Sequence, residues 1–201
     1  MADKPTRRQE YAEATRQAII DAARKLFAER GYFATRVSSI ATEARVAPAT
    51  VYAVTGGKQN LLSILITNWT IDPIVGKTME HIGPMTNSEA IIRELARASR
   101  TMREAYVDVI RVMLTTAPHD QEVADQERTA TAIYRAALVP IAERLAQLGE
   151  LRPGIEVAQT VDLLWFFFGY ASYFTLHDDN GWSYERAEHW LADQAMAALL
   201  P

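Results

Sequence analysis

Val37-Ser-Ser-Ile-Ala-Thr-Glu-Ala-Arg-Val-Ala-Pro-Ala-Thr-Val-Tyr-Ala-Val54 reads as two very short helices joined by a tight turn. In the first, Val37, Ile40, Ala41 and Ala44 fall at i, i+3, i+4 and i+7 and so share one face, which is expected to be buried. Thr35 stands before it as the expected N-cap, with a hydroxyl able to accept from an unpartnered backbone N–H. Beyond the turn, Pro48 suits a first helical position, where the missing N–H costs nothing, and Val51 and Val54 repeat three residues apart as the expected inner edge. A helix this short is not stable by itself. Burying one edge leaves Ala47, Pro48, Ala49, Thr50 and Tyr52 facing outward, the arrangement in which a helix-turn-helix offers its second helix to the DNA major groove.

Upstream, Ile19-Ile-Asp-Ala-Ala-Arg-Lys-Leu-Phe-Ala-Glu-Arg-Gly-Tyr32 adds a longer amphipathic helix stopped by Gly31. Together with Thr35, Ile40-Ala41, Ala44, Val46, Thr50, Tyr52, Lys58 and Leu61-Leu62, it resembles the N-terminal domain of the TetR (tetracycline-repressor-like) family over roughly the first third of the chain. The resemblance implies an all-α protein of about nine helices. A three-helix DNA-binding head would precede a helical bundle that binds a ligand and forms the dimer. Three positions depart from the family pattern: Arg45 occupies the usual turn glycine, and Val54-Thr55 replace His-Phe. If the turn needs positive φ, a side chain at Arg45 costs roughly 1 kcal/mol.

Composition narrows the alternatives. The 201 residues include no cysteine, which excludes disulfides, thiolate metal sites and cysteine nucleophiles. The start, Met-Ala-Asp-Lys-Pro-Thr-Arg-Arg, lacks the apolar centre of a signal peptide, and the longest apolar run, Val161 to Leu176, is too short to span a bilayer. A cytoplasmic protein with no membrane partner is expected. Net charge is −4 overall, but the first 60 residues carry ten Lys and Arg against six Asp and Glu. The remainder is therefore strongly acidic, as suits a DNA-facing head on a non-binding body.

The expected division is a disordered basic arm at residues 1–10, with Lys4, Arg7 and Arg8, a helix-turn-helix domain at 11–57 and a ligand-binding and dimerisation domain at 58–201. Gly56-Gly57-Lys58 is not a phosphate loop, because Tyr52 stands where that pattern needs glycine. A fourth helix from Lys58 ends at Asp72-Pro73. Thr86-Asn-Ser-Glu89 reads as a capping box for a helix to about Met102, followed by a second from Glu104 to Thr116. Another runs from about Asp120 to Gln147, with a bend expected at Pro140 and with Ile133, Tyr134, Ala137, Leu138, Ile141 and Leu145 on its inner side. Ile155 to His177 is expected as one helix, and Ser183 to Leu200 as the last.

Donor chemistry assigns Thr35, Arg36, Thr50, Tyr52 and Lys58 to DNA phosphates, as the resemblance also implies. Ala47, Pro48 and Ala49 offer only apolar surface to thymine methyls, so base reading falls to Arg45 and Arg36 or to DNA shape. Trp69, Met102, Tyr106 and Met113, with Tyr134, Trp165, Phe168 and Tyr173, are the candidate lining of an apolar effector cavity where the resembled family holds its ligands. Leu163 to Phe174 is apolar almost all round, and the final helix carries small residues suited to close approach. Phe167, Tyr170 and Phe174, with Trp190, Leu191, Ala195 and Ala198, are therefore the expected homodimer interface. The four histidines are dispersed, with no catalytic triad spacing, metal pair or implied cofactor, and His177-Asp-Asp-Asn180 reads as a helix end and turn. The expected function is a DNA-binding regulator, a repressor released from a palindromic operator by a small apolar or aromatic effector. The alternatives are a helical-bundle enzyme on an apolar substrate and a ligand-binding dimer with a degenerate head.

Overall fold

Thr6 and Gln9 start the first helix, α1 (Arg7–Arg30). The Thr6 hydroxyl accepts from the Gln9 backbone N–H, and the Gln9 side-chain oxygen accepts from the Thr6 N–H at 2.7 Å, a reciprocal capping box. Arg7 and Arg8 thus belong to a helix and not to the expected disordered arm; Lys4 lies outside the residues that this computed structural model describes, 6–201. Ile19, Ala23, Leu26 and Phe27 form the buried face of α1, and Gly31 ends it at φ 79°.

Next come α2 (Val37–Glu43), α3 (Pro48–Thr55) and α4 (Lys58–Thr70), followed by α5 (Ile74–Ile82), α6 (Ser88–Thr116) and α7 (Gln121–Leu148). The last are α8 (Val157–Phe168), α9 (Tyr170–Phe174) and α10 (Tyr184–Leu199), with a 3₁₀ turn at Ala117–His119 and a π-helical turn at Thr175–Asp179. Among the described residues there is no strand, and no helix is long and apolar enough to cross a membrane.

These helices form two compact units, Met1–Trp69 with Asp108–Arg128, and Thr70–Val107 with Thr129–Pro201. The division expected at residue 58 is linear, whereas here α4 and parts of α6 and α7 cluster with the first unit. In that unit α2 packs on α1, and α3 on α2 and α1. The second unit has a core from α5 to α8 and α10, including Ile91, Ile92, Leu138, Leu145, Leu164, Phe168, Leu191 and Ala195.

Helix boundaries in the middle of the chain differ from expectation. α6 is one helix, since nothing between Met102 and Glu104 breaks it, and its cap is Asn87, whose side chain accepts from the Ala90 N–H at 2.8 Å. α5 was not expected; Asp72 starts it by accepting from the Ile74 N–H at 2.9 Å and also receives the Tyr106 hydroxyl at 2.6 Å. α7 runs through Pro140 as expected, although Ile133 is exposed.

The expected single helix from Ile155 to His177 is broken at Gly169, which adopts ψ −172°. A Cβ at this residue would lie 2.4 Å from the Trp165 carbonyl oxygen, so the backbone approaches more closely than any side chain permits. The break frees carbonyls that a continuous helix would use. Phe166 O accepts from the Ser172 hydroxyl, while Phe168 O accepts from Tyr134 Oη at 2.8 Å and Arg103 Nη2 at 3.2 Å. Gly169→Ala is expected to cost about 1–3 kcal/mol through that clash. Thermal unfolding should show a midpoint several degrees lower, and an unchanged midpoint would mean that the break does not depend on glycine.

Candidate functional site

The turn between α2 and α3 sets the pose of the outward helix. The Val46 N–H donates to Ala41 O at 2.9 Å and the Arg45 N–H to Thr42 O at 3.2 Å, the two bonds of a Schellman motif. That motif requires a left-handed residue, and Arg45 supplies it at φ 56°. It is the one non-glycine with positive φ among the described residues, so the turn keeps its shape against the preference of its side chain.

Across the turn, Ala47 caps α3 and Pro48 occupies its first turn. Val51 is fully buried, and Thr55 is buried with its hydroxyl donating to Val51 O at 2.8 Å. The inner edge is therefore i, i+4; Val54, expected there, is exposed, because three steps of 100° turn it off the edge that Thr55 holds. Ala47, Pro48, Ala49 and Tyr52 are exposed and Thr50 is half-buried. Tyr52 keeps 58 % of its surface open. Beneath its ring lies Gly57, at φ 103°, where a Cβ would come within 3.1 Å of the ring. This floor has no helical or turn periodicity to announce it in the sequence.

Two expected phosphate donors are committed elsewhere. Thr35 is buried, and its hydroxyl donates to Gly31 O at 2.8 Å and Leu26 O at 3.1 Å, so it neither faces DNA nor caps α2; Arg36 is the N-cap residue and is exposed. Lys58 turns its ammonium inward, 3.0 Å from Tyr32 O and 4.1 Å from the Tyr32 ring centre. Burial lowers its pKa, against the opposing charge of Asp120. In this conformation Lys58 clamps the end of α1 to the start of α4. Arg45 remains exposed beside the turn.

A second clamp was not foreseen. Arg24 grips Asp108 with Nε at 2.6 Å and Nη2 at 2.8 Å, joining α1 to the C-terminal part of α6 inside the first unit. Burial alone would raise the Asp108 carboxyl, but the guanidinium and backbone N–H groups bring its pKa below the ordinary value.

The other candidates separate. Trp69 and Met113 are buried in the first unit, while Met102, Tyr106, Tyr134, Trp165, Phe168 and Tyr173 belong to the second. There Phe168 and Tyr173 are wholly buried and the other four half-buried, so the eight do not form one lining within either unit. Of the expected interface residues, Tyr170, Leu191 and Ala195 are corrected to intrachain core. Phe167, Phe174 and Ala198 are half-buried and Trp190 is exposed. The most exposed aromatic of α8 is Phe166, at 67 %, which the sequence reading passed over. His177 Nδ1 lies 2.7 Å from Trp182 O and its ring stacks on Tyr184, as a helix-ending residue. Among the described residues no group of acidic side chains and histidines could hold a metal ion.

Residues 19–63 match the family model described as bacterial regulatory proteins, tetR family. The chain is 28 % identical over 158 residues to YdeS of Bacillus subtilis (strain 168), an uncharacterised HTH-type transcriptional regulator, covering 76 % of this chain and 75 % of that one. A 56-residue stretch is 41 % identical to the HTH-type regulator HbdR of Aromatoleum sp. (strain CIB), spanning 28 % of this chain and 24 % of that one. In fold it is similar to FadR from Bacillus subtilis in complex with stearoyl-CoA, with TM-score 0.74, 19 % identity, and 90 % and 98 % of the two chains covered. The SmeT–triclosan complex gives TM-score 0.73 at 16 % identity, covering 94 % and 92 %.

The strain at Arg45 yields a direct test. Arg45→Gly should raise stability by up to about 1 kcal/mol, the left-handed penalty less the added freedom of the unfolded glycine. A melting midpoint about 2 °C higher is the expected reading; a lower one would mean that the side chain outweighs its backbone cost.

Proposed function

We propose, from the premise that this chain is a TetR-family transcriptional regulator, that it is a homodimeric repressor. It binds a palindromic operator through α3 and is released by a small apolar or aromatic effector held among its C-terminal helices. The observation that carries the reading is the two-sidedness of α3: Val51 is sealed in the core while Tyr52 stands open beside Ala47, Pro48 and Ala49. The turn supports it, since Arg45 keeps the left-handed conformation in spite of its side chain.

Tyr52, Thr50 and Arg36 contact phosphates, and Arg45 and the alanine-proline edge face the bases. Lys58 and Thr35 act from within, one by clamping Tyr32 and the other by closing the end of α1. Dimerisation is favoured by the uncovered Phe166 of α8 and Trp190 of α10, large apolar surfaces of the kind that mark a partner face. Two heads then meet successive major grooves about 34–36 Å apart. An apolar effector agrees with the stearoyl-CoA and triclosan bound by the two structural neighbours, and a DNA target accords with a cytoplasmic protein.

Fluorescence anisotropy on the DNA flanking its own gene tests the head. Affinity should fall steeply between 50 and 200 mM salt, and Tyr52→Phe should weaken binding to operator and unrelated DNA alike by roughly 5- to 10-fold, the loss of one phosphate hydrogen bond. Unaltered affinity would take Tyr52 out of the interface. For the dimer, Phe166→Glu should give a monomer in light scattering with its helical circular dichroism intact. A dimer that survives the charge must be built on another face.

A further inference from the structure

Among the described residues, one cation of the second unit is enclosed without a counter-ion. Arg103 of α6 is 1 % exposed. Its guanidinium lies 5.0 Å from the ring centre of Tyr170 and 5.9 Å from those of Tyr134 and Tyr173. Its only hydrogen bond runs from Nη2 to the Phe168 carbonyl at 3.2 Å, while Nε and Nη1 have no partner. Tyr134 Oη turns its proton to Phe168 O and Tyr173 Oη to Ala96 O, and neither oxygen accepts from Nε or Nη1. Contrast the open cleft of about 490 Å³ lined by Asp72, Lys77, His81 and Arg97. There both His81 and Arg97 already face the carboxylate of Glu94.

A guanidinium does not shed its charge by losing a proton. Three aromatic faces and one carbonyl offset part of its lost hydration, and a buried charge ordinarily completes the set with an anion. Each edge of the planar fork pairs Nη2 with an open donor, Nε on one edge and Nη1 on the other, so the edge that the Phe168 carbonyl leaves free suits a group with two coplanar oxygens. One positive charge balances one negative, so a carboxylate is neutralised where a phosphomonoester would leave surplus charge in the core. Around it Tyr134, Trp165 and Tyr170 pack edge to face at 5.0–5.4 Å for two of the three pairs, and Tyr134 and Trp165 are half-buried, so the cage has a solvent-side wall of rings.

We infer that Arg103 anchors the carboxylate of an aromatic or acyl acid, whose apolar body lies against Tyr134, Trp165 and Tyr170. This deepens the effector reading above and rests on it. Calorimetry and thermal shift on the purified full chain, without DNA, test it with benzoate beside benzamide and octanoate beside octanol. At least one acid should bind tenfold or more tightly than its neutral partner. Arg103→Met, which removes the unpaired charge at similar volume, should melt no lower than the parent and lose that preference. Neutral partners binding as well as the acids, no binding of either acid, or a folded Arg103→Met with its preference kept would each overturn the assignment. The comparison of acid with neutral partner on the unaltered chain decides even if the variant does not fold. Operator release is read separately: an acid that binds by way of Arg103 and leaves DNA affinity unchanged upholds the anion site while overturning the release mechanism.

Discussion

An eight-residue helix cannot hold itself in water, and α3 exists because Val51 and Thr55 are pressed into the first unit. That one burial fixes the rotation of the helix about its axis and so decides what looks outward. Tyr52 follows Val51 by 100° and is open; Val54, three residues on from Val51, is open as well. The Schellman turn then fixes the approach of α3 to α2, with Arg45 kept left-handed because two backbone bonds need that conformation. Gly57 supplies the last element of the pose, a floor so close to the Tyr52 ring that a Cβ there would push the ring aside.

Around this small head the polar groups serve position more than recognition. Thr35, Lys58 and Arg24 all carry donors that chemistry alone would offer to phosphate, yet each is spent on a carbonyl or carboxylate of the first unit. In the proposed DNA-binding mode they act through the shape they enforce. α6 contributes to both units: its Asp108 receives Arg24 in the first, and its Arg103 is the caged cation of the second.

The cage depends on a flaw in a helix. Had α8 continued through residue 169, the Phe168 carbonyl would belong to the helical ladder. Gly169 admits the close backbone approach that breaks it, and the freed oxygen collects the Tyr134 hydroxyl and the Arg103 guanidinium. Backbone polar groups released in a core have to be answered by side chains, and here the answer brings a cation inside.

The sequence by itself determined the helical class, the order of α1 to α4, the turn that strains Arg45, and the exposure of Tyr52, because local periodicity and caps act over a few residues. It also carried the resemblance behind the proposed function. Neighbours distant in the chain were beyond its reach. Asp108 lies 84 residues from Arg24 and Phe168 lies 65 from Arg103, so only folding revealed which charges are paired and which is left open. The same holds for Leu191 and Ala195, whose stripe on α10 fits a partner helix equally well whether it comes from another chain or, as here, from the protein's own core. Amphipathic spacing states that a face is covered; the identity of the cover is a tertiary fact.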